Sequence, residues 1–355
     1  MVARTLRAFP GAWIRRLTGA APITVEGRTL DPYVQFLLHA RARKGTPGLC
    51  EPSPAAGRAR YRREIAAMIA SPTAVGEVRE LTVPGGDGAT LHARHYAPVA
   101  NDDAAQPLLV YFHGGGFVIG DLDTHDEPCR LLCHHANTHV LSVAYRLAPE
   151  FPFPCAVNDS IASLRWAVQH AASLGANASN VSIGGDSAGA NLATVASLAL
   201  ATEGSQIAAQ LLIYPTTDSS ARTASRARFA SGFMLEARDM EQFGEHYLQR
   251  DNGSPRDPRV SPLFATNLQL APPALIVTAG FDPLRDEGMA YAAALQTTGV
   301  TVRVLAEDSL IHGFLHLTAA VPRALYAVQT IAAEWKVLTQ PTAHGAKAGT
   351  APSLR

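Results

Sequence analysis

The chain has little lysine, little cysteine and no surplus of either charge. Its only lysines are Lys44, Lys336 and Lys347, so arginine makes up nearly all of its 30 basic side chains. Thirty acidic side chains balance them to a formal net charge of zero. With no basic excess to displace counterions from a phosphate backbone, a nucleic-acid binder driven by bulk charge is excluded. No stretch of about 18 apolar residues runs free of charge, which excludes an integral helical membrane protein. Four cysteines, Cys50, Cys129, Cys133 and Cys155, are too few for a disulfide scaffold in 355 residues. Cys129 and Cys133 stand at i, i+4 beside His134 and His135, but no second ligand pair follows at metal-site spacing. They read as buried thiols on a helix, and no metal is expected.

What the chain does have is apolar surface: 47% of residues are hydrophobic and 17% charged, enough to close a core over most of its length. One large domain with an appended subdomain fits that length. The first twenty residues carry Arg4, Arg7, Arg15 and Arg16 and no acid, with Leu6, Phe9, Trp13, Ile14 and Leu17 among them. A secretory signal needs an unbroken apolar core of about 7–15 residues, and Arg7, Pro10, Arg15 and Arg16 interrupt it. A cytoplasmic location is therefore expected. Weak contact with an anionic membrane surface is one reading of this arm; a loose arm packed on the body is the preferred one. From Thr339 onward the text is small and polar and reads as a frayed tail.

The body divides by rhythm. Apolar positions at helical spacing over 31–70, broken by Gly45, Pro47, Pro52 and Pro54, predict two helices joined by a loop. Residues 75–83 and 89–96 alternate in the strand manner around the turn cluster 84–88 and predict a hairpin. From Leu108 strands alternate with helices. Strands are expected at 108–112, 139–144, 181–184, 210–214, 274–278 and 300–305. Helices are expected at 126–136, 156–172, 187–201, 285–298 and 321–337. Repeated βα units predict a mostly parallel sheet with helices on both faces and an antiparallel pair at one edge. Residues 217–250 interrupt the rhythm.

Gly185-Asp-Ser-Ala-Gly189 follows the apolar strand 181–184 and opens an alanine-rich helix. A sharp strand-to-helix turn strains its middle residue, and side chains at both flanking positions would clash, so glycine is required there. The turn lifts Ser187 above the sheet edge, close to free N–H groups at a helix N-terminus. A serine alcohol needs a base. Asp282 follows the strand 274–278, and His312 stands a few residues beyond the strand 300–305. Both fall on the rim that carries Ser187, in the serine–acid–histidine order of an α/β-hydrolase sheet. His312 is expected to take the serine proton and Asp282 to orient the ring. Asp286, one turn into the next helix, is the rival acid and reads as a cap or ion-pair residue. His316 reads as a packed helix residue. His113-Gly-Gly-Gly116 follows the strand 108–112; its uncovered N–H groups, with that of Ala188, suit an oxyanion hole. His113 is expected to anchor that loop. A phosphate cradle is disfavoured, because no lysine follows at P-loop spacing.

Together these motifs resemble the hormone-sensitive-lipase-like family of α/β-hydrolases, a group of bacterial esterases. The shared run covers roughly 30–338. It includes His113-Gly-Gly-Gly-Phe117 with Gly120 and Asp121, and Tyr145-Arg-Leu-Ala-Pro-Glu150 with Phe153 and Pro154. It goes on through Gly185-Asp-Ser-Ala-Gly-Ala-Asn191, Asp257-Pro-Arg-Val-Ser-Pro262 and Asp282-Pro-Leu-Arg-Asp-Glu-Gly288 to His312-Gly-Phe314. The resemblance implies an α/β-hydrolase fold: a mostly parallel eight-stranded sheet flanked by helices, with a helical cap. It divides the chain into an arm and cap helices (1–72), a first part of the core (73–216), a cap insertion (217–250), a second part of the core (251–338) and a flexible tail (339–355). It implies a Ser187, Asp282, His312 triad, oxyanion donors Gly115, Gly116 and Ala188 with Gly114 a weaker candidate, and hydrolysis of short- to medium-chain acyl esters without metal or organic cofactor. In place of the tyrosine and small residue that many members carry before the histidine, the text is Ala306-Glu-Asp-Ser-Leu310. Glu307 and Asp308 are therefore expected at the pocket rim. Two alternatives stand beside the esterase: a non-catalytic small-molecule receptor on the same fold, which the presence of His312 disfavours, and an amide or lactone hydrolase with the same triad. The expected partner is a small acyl ester, and a homodimer through the edge strand 300–305 is a further expectation.

Overall fold

The computed structural model describes residues 6–69, 71–99 and 105–339. Eight strands form one sheet: β1 (Glu77–Pro84), β2 (Thr90–Ala97), β3 (Leu108–Phe112), β4 (His139–Val143), β5 (Val181–Asp186), β6 (Gln210–Ile213), β7 (Ala274–Phe281) and β8 (Val302–Ile311). Their spatial order is β8-β7-β6-β5-β3-β4-β2-β1. The pairs β1–β2 and β2–β4 are antiparallel and the rest parallel. The expected edge hairpin is thus β1–β2.

Strands β3 to β7 have no exposed residue, as parallel strands covered on both faces require. Successive side chains point to opposite faces, so Leu108, Val110 and Phe112 enter one core and Leu109 and Tyr111 the other. The first core is closed by α5 (Cys155–His170), α6 (Ala188–Thr202) and α9 (Arg285–Thr297). The second is closed by α4 (Asp126–Ala136) and α10 (Pro322–Thr339). Helix α6 is buried on nearly every side, which is why its sequence is apolar all round.

The N-terminal segment supplies α1 (Gly11–Thr18), α2 (Pro32–Arg43) and α3 (Pro54–Met68). Both longer helices start on a cap followed by proline at the first helical position. The Asp31 carboxylate accepts from the N–H groups of Tyr33 and Val34, and the Ser53 hydroxyl from Ala56. The interrupting segment contributes α7 (Ala224–Arg228) and α8 (Ala237–Asn252). The tail expected from 339 lies outside the described residues apart from Thr339, which closes α10.

Three strands run two or more residues past their expected ends, β5 by reaching Asp186. β7 extends to Phe281 and β8 to Ile311, so Asp282 and His312 follow their strands immediately rather than after a few loop residues. The acids at 307 and 308 made the second half of β8 read as a loop. Glu307 is nevertheless buried and paired with Arg323 on α10 at 2.6 Å, so its charge does not interrupt the strand. Asp308 points away and binds Arg28 at 2.7 Å. Neither acid lines the cavity, which corrects the expectation that they form its rim. Instead they fasten β8 to α10 and to the N-terminal segment, whose Asp31 N–H also donates to the Ser309 carbonyl.

Candidate active site

The turn from β5 into α6 is tight enough to dictate its residues. Ser187 sits at φ 53°, ψ −118°, a strained conformation for a residue with a side chain. A Cβ on Gly185 would lie 2.4 Å from the Phe112 carbonyl oxygen, and one on Gly189 would lie 1.9 Å from the same atom. Only glycine lets the turn approach the end of β3 this closely. Ser187 N–H donates to the Ile213 carbonyl, which fixes the elbow to β6.

The three residues expected to act together are brought together. Ser187 Oγ lies 3.0 Å from His312 Nε2, and His312 Nδ1 lies 2.8 Å from Asp282 Oδ2. The second oxygen of Asp282 accepts the Leu284 N–H at 2.8 Å, and the carboxylate is fully buried. Such a carboxylate can only accept, so His312 must carry its proton on Nδ1, which leaves Nε2 free to accept the serine proton. Tyr214, at φ 37°, packs its ring 4.6 Å from that of His312. The rival acid is elsewhere: Asp286 accepts the Ser225 N–H at 2.8 Å and pairs with Arg285 at 3.0 Å.

The glycine loop after β3 has a divided role. Gly115 and Gly116 have φ of 120° and 60°. Their N–H groups, like that of Ala188 at the head of α6, have no acceptor among the described residues. Gly114 differs, because its N–H donates to Asp186 Oδ1 at 2.9 Å and so turns inward. Of the four N–H groups expected as donors, those of Gly115, Gly116 and Ala188 thus stay unused among the described residues and that of Gly114 does not. His113 is buried, its ring stacked 4.4 Å from Tyr145, whose hydroxyl donates to the His113 carbonyl at 2.8 Å. Burial first, then repulsion from His125, lowers its pKa to about 4, so it anchors the loop as a neutral ring.

Sequence reasoning missed the scaffold beneath these groups. In the sequence Asp186 is one letter of the elbow motif, yet its buried carboxylate collects Tyr111 Oη at 2.8 Å, the Gly114 N–H and His125 Nε2 at 3.3 Å. Burial alone would raise its pKa, but attraction to His125 and these hydrogen bonds hold it below the usual carboxylate range. Glu287 was also missed. It is buried, pairs with Arg226 of α7 at 2.7 Å, and accepts from the Thr217 N–H at 2.9 Å, which fixes the strand end beside the elbow. Burial raises its pKa and Arg226 opposes the shift. No local spacing marks either group, because their partners lie 61 to 75 residues away. His316 sits on a short turn, Phe314–Leu317, against the rings of Tyr61 and His125, with its Nδ1 buried and unpartnered. It also lines the cavity, so it is not only a packing residue.

Above the triad lies a cavity of about 1230 Å³. Its floor includes Gly115, Gly116, Ser187 and His312. Its upper wall comes from Leu37 and Leu38 of α2, Ile65 and Met68 of α3, and Met240 and Phe243 of α8. The wall presses on the glycine loop: a Cβ on Gly116 would lie 2.3 Å from the Phe243 ring, and the Phe117 ring stacks 3.9 Å from Tyr247.

A strained serine at a strand-to-helix turn, joined to aspartate and histidine from the ends of the last two strands of the sheet, is the arrangement shared by one large fold family. The family model described as alpha/beta hydrolase fold matches residues 109–316. The chain belongs to the alpha/beta hydrolase family. It is 43% identical over 310 residues to the carboxylic ester hydrolase LipN of Mycobacterium tuberculosis, a match that covers 85% of this chain and 81% of LipN. It is 39% identical to an ethyl acetate hydrolase of Pseudomonas putida, over 70% of this chain and 78% of that protein. Among solved structures it is similar to LAE6, an alpha/beta hydrolase enzyme from the metagenome of Lake Arreo. That pair has a TM-score of 0.82 and 40% identity, and covers 87% of this chain and 98% of LAE6. A thermostable esterase from Pseudomonas putida aligns with a TM-score of 0.83 at 32% identity, over 90% of this chain and all of that one. The chain is thus a carboxylic-ester hydrolase of the hormone-sensitive-lipase-like group. No helix among the described residues is long and apolar enough to cross a membrane.

Proposed function

We propose that this hydrolase cleaves short- to medium-chain acyl esters through an acyl-enzyme on Ser187. The observation that carries the reading is the unbroken hydrogen-bond chain from Ser187 through His312 to Asp282, on the floor of an apolar cavity beside three free backbone N–H groups. His312 Nε2 takes the Ser187 proton as Oγ attacks the ester carbonyl. Asp282 stabilises the resulting imidazolium and holds its orientation. The developing oxyanion is met by the N–H groups of Gly115, Gly116 and Ala188, where removing one donor typically costs about 10²–10³ in rate. His312 then gives its proton to the leaving alcohol, and water activated by the same nitrogen releases the acid. The carbonyl is neutral, so no charged clamp is needed to steer it.

In this reading the two segments 1–72 and 217–250 act as the cap, supported by the cavity wall that α2, α3 and α8 provide. Two copies pairing along the uncovered half of β8, before Glu307, is a further part of the proposal; a monomeric mass by light scattering at micromolar concentration overturns it. The main test is a series of p-nitrophenyl esters of rising acyl length, with tributyrin and an emulsified long-chain triglyceride. Maximal kcat/KM at short or medium chains is expected. A maximum on the emulsified triglyceride, or full turnover by Ser187→Ala, overturns the reading.

A further inference from the structure

Helix α1 carries an apolar stripe that the core does not use. Its inner face is occupied, with Ile14 and Thr18 buried against the body. Trp13 and Leu17, one turn apart, are nevertheless 57% and 56% exposed, and Phe9, beside the Pro10 cap, is 43% exposed. Single exposed apolar residues need no explanation, but three together on one short helix and its cap are not required by packing.

The charge around this stripe says what it fits. Arg7, Arg15 and Arg16 are exposed on the same segment, and residues 1–25 contain no acid. The next acids in the chain serve other partners first: Glu26 pairs with Arg28 and Arg285, and Asp31 caps α2, although its carboxylate also attracts Arg15. Elsewhere in the N-terminal third Arg62 pairs with Asp121 and Arg79 with Glu77, while Arg43 and Arg63 are exposed without a large apolar neighbour of comparable exposure. Arg7 and Arg16 have no ion pair among the described residues, and Arg16 stands on the side of α1 that carries Trp13 and Leu17 rather than Arg15. Such guanidinium groups beside a tryptophan and a leucine match a surface with phosphates above and hydrocarbon beneath. A second protein surface would have to supply acids and an apolar pocket together; a lipid headgroup layer supplies both by its nature. Tryptophan is also suited to that boundary, with an apolar ring and a polar N–H.

We propose that α1 docks the enzyme reversibly on an anionic lipid surface. Trp13 and Leu17 enter the boundary between headgroups and acyl chains, and Arg7 and Arg16 bind lipid phosphates. Helix α1 packs on α2, and α2 lines the cavity with Val34, Leu37 and Leu38. Docking therefore brings the cavity wall to the place where apolar esters partition. The proposal stands on residues away from the triad, so its failure leaves the esterase reading intact.

The chain reports on itself. Of its three tryptophans, Trp335 is fully buried and Trp166 is half-buried and stacked on His170, so Trp13 is the one most open to solvent. The full chain is mixed with vesicles of phosphatidylcholine alone, or with about 30 mol% phosphatidylglycerol, and assayed by flotation and tryptophan emission. Flotation only with the anionic vesicles is expected, with a blue shift, quenching by brominated lipid and release in about 0.5 M salt. Trp13→Ala/Leu17→Ala should lower partitioning at least about tenfold, and Arg7→Gln/Arg16→Gln should remove the preference for anionic lipid. Unchanged turnover of soluble p-nitrophenyl butyrate by both variants shows that they are folded. Failure of the wild type to float, or equal flotation of the apolar variant, overturns the proposal. So does a dimer by light scattering that the apolar variant dissolves, because a second copy then covers the stripe.

Discussion

Replacing Asp282 with asparagine probes the logic of the site, because the change removes one charge and almost no volume. Both carboxylate oxygens are acceptors in use: Oδ1 receives the Leu284 N–H at 2.8 Å and Oδ2 faces His312 Nδ1 at 2.8 Å. An amide has only one acceptor. If its oxygen keeps the Leu284 N–H, its NH2 faces Nδ1, the ring proton must move to Nε2, and His312 can no longer accept from Ser187. If the amide flips, its NH2 meets the Leu284 N–H, and a buried pair of donors faces each other at a cost of about 1–3 kcal/mol. The first arrangement is therefore favoured and leaves the wrong tautomer. Loss of the correct tautomer in a serine triad costs about 10⁴ in kcat, equivalent to about 5 kcal/mol of transition-state stabilisation. The assay is kcat and KM on p-nitrophenyl butyrate, with circular dichroism to show the fold unchanged. A fall in kcat near four decades with KM nearly constant is expected. An Asp282→Asn enzyme within tenfold of wild type would refute the assignment of Asp282 as the orienting acid.

Three further outcomes follow from the packing. Gly189→Ala should destabilise by about 3 kcal/mol or more, because the new methyl meets the Phe112 carbonyl oxygen at 1.9 Å and only the sheet itself could yield. Gly244→Ala, which meets nothing within 4 Å inside α8, should be neutral or gain about 0.5–1 kcal/mol; thermal melts compare the two. Arg226→Ala strands the buried carboxylate of Glu287 and should cost about 3 kcal/mol. Adding Glu287→Gln should recover part of that in urea unfolding. The pKa of His316 is lowered to about 3, chiefly by burial and then by His125. The unfolded chain therefore binds a proton there below about pH 6.5 that the folded chain refuses, and this part of the stability falls as pH drops from 6.5 toward 3. His316→Asn should flatten the slope of unfolding free energy between pH 6 and 4 by up to about 1.4 kcal/mol per pH unit. The raised carboxyl of Glu287 acts with the opposite sign, but it is common to both proteins, so the difference isolates His316.

Much of this was legible in the chain because the informative features are local. The βα rhythm follows from strands covered on both faces, so each reads as a short apolar run between helical segments. Gly185 and Gly189 announce the elbow, since any other residue would overlap the end of β3. Asp282 and His312 were found by their place at strand ends, even though both strands run further than their text suggested. The reading failed where charge is neutralised from a distance. Glu307 looked like a loop residue because its partner Arg323 sits on another helix. Asp186 and Glu287 look like motif filler because their donors come from β3, the cap residue before α4, and α7, at separations that carry no periodic signal.

If Ser187 is the nucleophile, it is the residue that an active-site phosphonylating reagent must modify. The purified chain is treated with a fluorophosphonate, digested, and mapped by mass spectrometry. One phosphonyl group per chain on the peptide containing Ser187 is expected, forming at a rate that parallels loss of esterase activity and failing to form in His312→Ala. Loss of activity without label at Ser187, or labelling that proceeds unchanged in His312→Ala, would contradict the account.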